Sequence, residues 1–355
     1  MDGIRVVRVW SYIAPNNGFW LRILDFTSFM VTSTIGSLLI TKVNIVIGTS
    51  PQFFTVCAAY IVSRLKSIPF VFELRDLWPQ SIKAVGAMSD SVLLRLLKWV
   101  EKYLYKAADA IVPVTHSFKG YLVDRGIPSS KIHVVTNGVN LAHFSPRKRD
   151  EILLKKMNFG NHFICGYIGT HGLAHGLETL LDAAEHLLIN GHSDVRILFI
   201  GDGARKLSLK AEAESRGLTN VVFIDTVPKS EVVLYWSLLD VSIIHLRPID
   251  LFSNVIPSKI FESMAMGIPL LHGVAGESAE IVEREKVGVV FGSGDHKALC
   301  DGILHLKADR DVVDSYRRRC LEAAPKYDRV RLASELLSIL EMLAQGPIGR
   351  RKIMK

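Results

Sequence analysis

Cysteine is scarce in these 355 residues: there are four, Cys57, Cys165, Cys300 and Cys320. None belongs to a CxxC pair or stands beside a histidine at zinc-ligand spacing, which argues against a disulfide scaffold or a zinc module. Cys57 and Cys165 lie in apolar runs and read as small core residues. A reducing, cytoplasmic compartment follows as the expectation. Uninterrupted apolar runs are also lacking. Asp2, Arg5 and Arg8 break up the first residues, so no secretory leader is expected. The longest apolar stretch, residues 26–40, is interrupted by Thr27, Ser28, Thr32, Ser33 and Thr34. It falls short of the ~20 residues a spanning helix needs. It suits a buried core helix better than one lying in a membrane interface. No full GxGxxG follows an early strand, which disfavours a dinucleotide oxidoreductase. Low-complexity tracts and internal repeats are absent. No DxD stands at a strand end; Asp309-Arg310-Asp311 falls in a helical stretch and reads as surface, so no metal is expected.

What is present is the composition of a folded protein, with 49% hydrophobic and 22% charged residues. The length suits two domains. A net charge of +8, with clusters at Arg147-Lys148-Arg149, Arg317-Arg318-Arg319 and Arg350-Arg351-Lys352, suits nucleotides, phosphorylated lipids or an anionic membrane surface. No nucleic-acid-binding motif accompanies it. The same clusters also fit a solvated surface. His171 and His175 are four apart but flank a glycine and lack an HExxH context, a weak metal signal.

Short apolar runs bounded by turn residues alternate with longer helical patterns, the rhythm of βαβ units around a parallel sheet. In the first half the strands are residues 43–48, 69–73, 110–113 and 131–135, with helices over 51–66 and 91–107. Val6-Val7-Arg8-Val9-Trp10 looks like a second or third strand, so the half reads as short of its opening βα unit. In the second half strands are expected at 163–168, 195–200, 221–224, 241–245, 269–271 and 288–291. Helices lie between them, and a last helix spans about 330–344. Domain boundaries are placed at 1–146, 147–327 and 328–355, with residues 145–151 as the linker.

Four segments carry chemistry. In Asn254-Val-Ile256-Pro257-Ser258-Lys259-Ile-Phe-Glu262-Ser-Met-Ala-Met-Gly267-Ile-Pro269, Pro257 opens a helix that Gly267 ends. Ile260, Phe261, Met264 and Ala265 share one face; Lys259, Glu262 and Ser263 share the other. A helix start with an added lysine suits a diphosphate, and a glutamate one turn on can bind a vicinal diol. An exposed i,i+3 ion pair explains the same two residues. Gly166-Tyr167-Ile168-Gly169-Thr170-His171-Gly172 runs from strand to glycine-rich loop, where backbone amides can approach phosphate, though tight turns alone also call for glycine. Gly201, in Phe199-Ile200-Gly201-Asp202-Gly203, marks a strand-to-helix turn. In Phe72-Glu73-Leu74-Arg75-Asp76-Leu77-Trp78-Pro79, charged residues fall at a strand's carboxyl end, where open α/β sheets bind ligands. Asp76 could act as a base toward an acceptor hydroxyl, while Glu73 and Arg75 fit a salt bridge equally well.

FELRDLWPQS, TNGVNLAHF, GYIGTHGLAHGLETLLDAAEHL and PSKIFESMAMGIPLL, in that order along the chain, resemble the family 4 retaining glycosyltransferases. The nearest subgroup is that of bacterial surface-polysaccharide enzymes of the WbuB type. The resemblance spans nearly the whole chain. It implies a GT-B fold, two Rossmann-like domains facing across a cleft, with the last helix crossing back to the first domain. It implies a nucleotide-sugar donor in the second domain, placed by Gly169, Thr170, Gly172, Gly201, Ile256, Pro257, Ser258, Lys259 and Glu262. The acceptor would meet Glu73, Arg75 and Trp78 in the first. Glu262 matches the second acid of the family's E-x7-E motif; Asn254 stands where the first would be, and it cannot carry charge. The family's phosphate-binding Arg and Lys fall near His171 and His175, leaving more of the diphosphate to Lys259. Asp76 and Asn254 are the candidate catalytic residues. The implied reaction is sugar transfer with retention, without a cofactor or metal, from a UDP-sugar to a polyprenyl-diphosphate-linked glycan at the cytoplasmic face of the inner membrane. A catalytically impaired GT-B-like chain and a nucleotide-sugar epimerase are the alternatives.

Overall fold

A computed structural model describes residues 3–13, 19–77 and 92–346. The chain divides into two compact units, one built from Met1–Thr136 and Ala333–Lys355, the other from Asn137–Leu332.

In the first unit, β1 (Val46–Thr49), β2 (Phe70–Leu74) and β3 (Ala110–Pro113) form a parallel sheet in the order β1-β2-β3. β2 is a nearly unbroken apolar run because helices cover both sheet faces. Around it lie α1 (Phe19–Leu38), α2 (Phe53–Lys66), α3 (Val92–Ala107) and α4 (His116–Asp124). A late helix, residues 329–345, adds Leu336, Leu340 and Leu343 against Val71, Ala110 and Val112. Those three leucines sit one helical turn apart on one side.

Three expectations for this unit are corrected. Residues 6–10 run extended but pair with no strand among the described residues. The end of this segment bonds to α1 instead: Thr32 Oγ1 donates to Trp10 O at 2.6 Å and, just beyond, Tyr12 N donates to Ser28 Oγ at 2.9 Å. Ser28 and Thr32, two of the residues that interrupt the apolar stretch, are thus its docking points, while Ser33 and Thr34 bond back to the Met30 carbonyl of their own helix. That stretch is part of α1, which begins earlier than expected and buries none of its described residues. Residues 131–135 make a single bridge, Ile111 with Ile132, because a 3-10 turn at Ser129–Lys131 takes up their start. Cys57 is half-buried; Cys165, Cys300 and Cys320 are buried, and all four are free.

The second unit holds six parallel strands: β4 (Phe163–Ile168), β5 (Val195–Ile200), β6 (Val221–Ile224), β7 (Val241–His245), β8 (Leu270–Gly273) and β9 (Gly288–Val290). Their order is β6-β5-β4-β7-β8-β9. The direction of winding reverses where β4 lies beside β7, and such a switch point is where open α/β sheets leave a crevice for ligands. One face of the sheet buries Leu180, Leu181 and Ile303 against Tyr167 and Phe199; the other buries Trp236, Leu198 and Ile268. The segment from Asn137 belongs to this unit, ahead of the basic stretch read as the linker. Val139 N donates to Tyr327 O and Arg329 N to Val139 O, both at 2.9 Å, and Gly138 leaves no room for a Cβ beneath Tyr327 O. Arg149 pairs with Asp240, while Arg317 and Arg319 pair with Asp314 and Glu322 on the surface. Those basic clusters are therefore partly neutralised.

One buried charge stands out in the first unit. Glu101 of α3 accepts a hydrogen bond from Tyr105 at 2.8 Å, and its other oxygen lies 3.7 Å from Arg125. Burial pushes its carboxyl up from 4.5 to about 7, although Tyr105 and Arg125 favour the charged form. The folded protein thus holds the proton more tightly than the unfolded chain. The associated stability is fully present below 4.5 and is lost as pH rises through about 7. Glu101→Gln, which keeps an acceptor for Tyr105 without titrating, is expected to stabilise the protein at about pH 8 by about 2–3 kcal/mol relative to its effect at about pH 5. Urea unfolding at the two pH values measures this; an effect equal at both contradicts it.

Candidate functional site

The carboxyl ends of β4 and β5 are locked together by backbone. Gly169 N donates to Ile200 O at 2.8 Å and His171 N to Asp202 O at 2.9 Å. Gly201, at φ +135°, lies against the Gly169 carbonyl, where any Cβ would collide. Gly169 itself, at φ +144°, gives its free side to the end of the Lys259 side chain. The glycines are needed because two loops and a lysine converge on one small volume. Thr170 is exposed, and its carbonyl accepts from the Tyr167 hydroxyl at 2.9 Å. Gly172 opens the 3-10 turn Leu173–His175.

Helix Lys259–Met266 supplies the lysine. Ile260, Phe261, Met264 and Ala265 are buried as expected. Ser263 is not on the open side: it is fully buried, its hydroxyl without a partner among the described residues, because at about 100° per residue it lies about 60° from the buried Ile260. Ile256 is a core residue, Pro257 and Ser258 are half-buried, and Ser258 is the N-cap without a side-chain capping bond. Asn254, half-buried, ends the 3-10 turn Asp250–Asn254.

Lys259 and Glu262 do not form the exposed ion pair that would have explained them away. Lys259 Nζ donates to Tyr167 OH at 3.1 Å and lies 4.3 Å from the centre of that ring. Burial lowers its pKa from 10.5 to about 8, with Glu262 favouring the charge. Burial likewise pushes the Glu262 carboxyl up, while Lys259, Arg329 and His143 hold it toward the charged form. Two half-buried ionisable groups with no ion-pair partner among the described residues can exchange their remaining hydration for a polar ligand.

His171 is fully buried between Tyr167, Phe199 and Phe223, with ring centroids at 5.9, 6.0 and 6.3 Å, and neither ring nitrogen has a partner among the described residues. Burial, then Lys206 and Lys259, lowers its pKa to about 4; burial, then Lys259, does the same for His175. Both imidazoles are neutral near pH 7. The fixed positive charge at these strand ends belongs to Lys259, Arg205, Lys206 and Arg247. Glu178 at the start of helix 178–189 ties Arg205, at 2.6 Å, to Arg247, at 3.5 Å. Tyr167 and the Arg205–Glu178–Arg247 tie were missed from sequence. A tyrosine inside an apolar strand reads as core, and the three charged residues are far apart in the chain.

In the first unit, Glu73 accepts from Thr49 Oγ1 at 2.7 Å and lies 3.8 Å from Arg75 Nε, so the salt-bridge reading of these two describes the structure. The Ser50 hydroxyl accepts from Arg75 N at 2.9 Å and Asp76 N at 3.3 Å, which fixes the backbone at the end of β2. Trp78 lies outside the described residues.

Comparison with known proteins adds family evidence to this geometry. The sequence profile of the glycosyl transferases group 1 matches residues 148–327, and that of Glycosyltransferase Family 4 matches residues 2–143. Similar relatives include the probable glycosyltransferase WbjE of Pseudomonas aeruginosa, 23% identical over 66% of this chain and 58% of its own. The putative colanic acid biosynthesis glycosyltransferase WcaL of Salmonella typhimurium is 26% identical over 68% of this chain and 58% of its own. The matched region thus spans about three-fifths of the length of these relatives. Among solved structures, Anabaena Alr3699/HepE in complex with UDP and glucose aligns over 92% of this chain and 84% of its own, with a TM-score of 0.71 at 16% identity. Sucrose-phosphate synthase from Thermosynechococcus elongatus aligns over 90% and 78%, with a TM-score of 0.72 at 16% identity. The fold is therefore GT-B, with two Rossmann-like parallel sheets, and the chain belongs to the group 1 glycosyl transferases.

Proposed function

We propose that this protein transfers a sugar from a nucleotide-sugar to a glycan acceptor in the assembly of a bacterial surface polysaccharide. The observation that carries the reading is the half-buried Lys259 ammonium, held by Tyr167 and fitted against Gly169 at the sheet's switch point. Such a cation, next to first-turn amides with no intrahelical acceptor, suits a diphosphate. Glu262, one turn on, is the right group for a ribose diol. The names of the relatives support the biological setting: WcaL is named for colanic acid biosynthesis and HepE was solved with UDP and glucose.

In finer terms, the donor is a UDP-sugar and the acceptor a polyprenyl-diphosphate-linked glycan at the cytoplasmic face of the inner membrane, as in the WbuB-type subgroup. Residues 1–146 serve the acceptor, 147–327 the donor, and 328–355 form a helix crossing back to the first domain with a basic tail. The acceptor oxygen bonds to the anomeric carbon on the face from which the diphosphate leaves, retaining configuration, and the departing phosphate oxygen takes the acceptor's proton. No metal or cofactor takes part. Lys259 meets the charge that builds on the diphosphate as the glycosidic bond breaks. Asp76 orients the acceptor hydroxyl, with Glu73, Arg75 and Trp78 beside it, and Asn254 binds a hydroxyl of the transferred sugar. Gly169, Thr170, Gly172 and Gly201 shape the phosphate loops; Ile256, Pro257 and Ser258 set the helix start.

Calorimetry with UDP tests the donor side. Glu262→Ala and Lys259→Ala are each expected to weaken binding by about tenfold to a hundredfold, the loss typical of one hydrogen bond to a charged group. An unchanged affinity removes that residue from the site. Titration in pH gives a second check. The Lys259 charge is present below about 8 and lost above it, so wild-type affinity for UDP should fall as pH rises through 8. Lys259→Ala should lose that step and keep only the shallow background. A wild-type profile flat through this range contradicts a lysine on the diphosphate.

A further inference from the structure

β4 and β7 are parallel neighbours, so the chain leaves both on the same side of the sheet. The loop after β4 and the first residues after β7 therefore run side by side, and three contacts join them. Arg247 N donates to Ala174 O at 2.9 Å. His245 Nδ1 donates to His175 O at 2.7 Å while its Nε2 accepts from Gly294 N at 3.0 Å, so one tautomer satisfies both ring nitrogens. Gly176, at φ +55°, has no room for a Cβ, which would stand 2.9 Å from Arg247 Cγ.

Arg247 thus has a fixed stem and a loose head. Its carbonyl accepts from Ile249 N at 2.8 Å, and Pro248 restricts the backbone of the residue before it. The guanidinium makes no hydrogen bond among the described residues. Its ion-pair partner there is Glu178 Oε1, 3.5 Å away and outside the range of a good hydrogen bond. The side chain is 41% exposed, with five N–H donors to offer. Arg205 shares the same carboxylate oxygen and is the opposite case. It donates to it at 2.6 Å, and its Nε is enclosed. Glu178 is therefore bonded to Arg205 and holds Arg247 by charge alone. Lys259 stands at the other end of the loop, against Gly169 and over the Tyr167 ring, which meets His175 edge-on with centroids at 5.9 Å. Between the two cations the loop carries His171 and His175, both neutral near pH 7. One cation at the loop's start and one at its end, with no charge between, suit a ligand with two linked anionic groups.

We propose that Arg247 is a second donor-binding residue: its guanidinium turns from Glu178 to bond one phosphoryl group of the donor diphosphate through two N–H groups, while Lys259 takes the other. The ligand rests on the nucleotide-sugar reading given above. The planar fork of an arginine matches two phosphoryl oxygens at once, which an ammonium does not. The fixed stem sets where the fork can reach, and the loose head lets it leave its acid at little cost. Arg205 stays on Glu178, so the carboxylate remains paired and repels the incoming phosphate less than a bare acid would.

The test is calorimetry on the full chain with three probes: UDP, inorganic diphosphate, and uridine, which has no phosphate. Arg247→Gln should weaken UDP and diphosphate by about tenfold to a hundredfold and leave uridine as it is for wild type. Arg247→Lys should recover only part of the loss. Arg205→Gln should cost UDP several times less than Arg247→Gln does. Thermal melts of Arg247→Gln should stay close to wild type, since its side chain makes no hydrogen bond among the described residues. UDP affinity unchanged in Arg247→Gln overturns the proposal, and if Lys259→Ala still weakens UDP, the donor reading stands without it. An equal loss for uridine also overturns it, because Arg247 would then shape the fold of the loop rather than meet phosphate. So does a larger loss in Arg205→Gln. Diphosphate binding that needs Arg247, in a protein that ignores UDP, would keep the clamp and remove the nucleotide. Wild type that binds neither UDP nor diphosphate removes both.

Discussion

The second unit is organised around the burial of one ammonium group. Lys259 is taken out of water at the end of β4 and compensated by a tyrosine hydroxyl and the face of its ring. That arrangement constrains everything near it. Gly169 can have no side chain because the lysine occupies the space; Gly201 can have none because the Gly169 carbonyl does. The two strand ends are bonded backbone to backbone because the loops must stay in place. The helix carrying the lysine is anchored by Ile260, Phe261 and Met264, which fixes where its side chain starts. A cation held this way, poorly solvated and without a paired carboxylate among the described residues, suits an anionic ligand rather than stability.

Electrostatics at the site follow from the same burial. His171 and His175, which stand where a basic pair is otherwise expected, are neutral because they share the desolvated space with Lys259. The charge they do not supply must come from the lysine and from the arginines bound to Glu178 at the ends of β5 and β7. Glu262 is poised by opposing influences, burial against nearby Lys259, Arg329 and His143. Part of that surrounding comes from the Asn137–His143 segment, which is pinned to the second unit by Val139 and Tyr327.

The sequence was most legible where one physical signal dominated. Continuous apolar runs closed by glycine or charge located β4, β5, β6 and β7 to the residue: strands inside a parallel sheet are buried on both faces, and even the half-buried edge strand β6 keeps an apolar run. The stripe of Ile260, Phe261, Met264 and Ala265 gave the orientation of the key helix, but Ser263 was misplaced since a small hydroxyl fits a core as easily as a surface. Residues 6–10 look like a strand, yet the bonds of this segment run from Trp10 and Tyr12 to Thr32 and Ser28 of α1, which the local sequence does not show. The lysine's partner was illegible for a different reason: Tyr167 and Lys259 are brought together only by the pairing of β4 with β7.

A structure of the protein with UDP bound is the most direct measurement of the central claim. The account predicts a diphosphate oxygen within hydrogen-bond distance of Lys259 Nζ and the ribose hydroxyls on the Glu262 carboxylate, with Gly169 and Gly201 unmoved beneath the phosphates. A nucleotide bound elsewhere, with the Lys259 ammonium still bonded only to Tyr167, would contradict it.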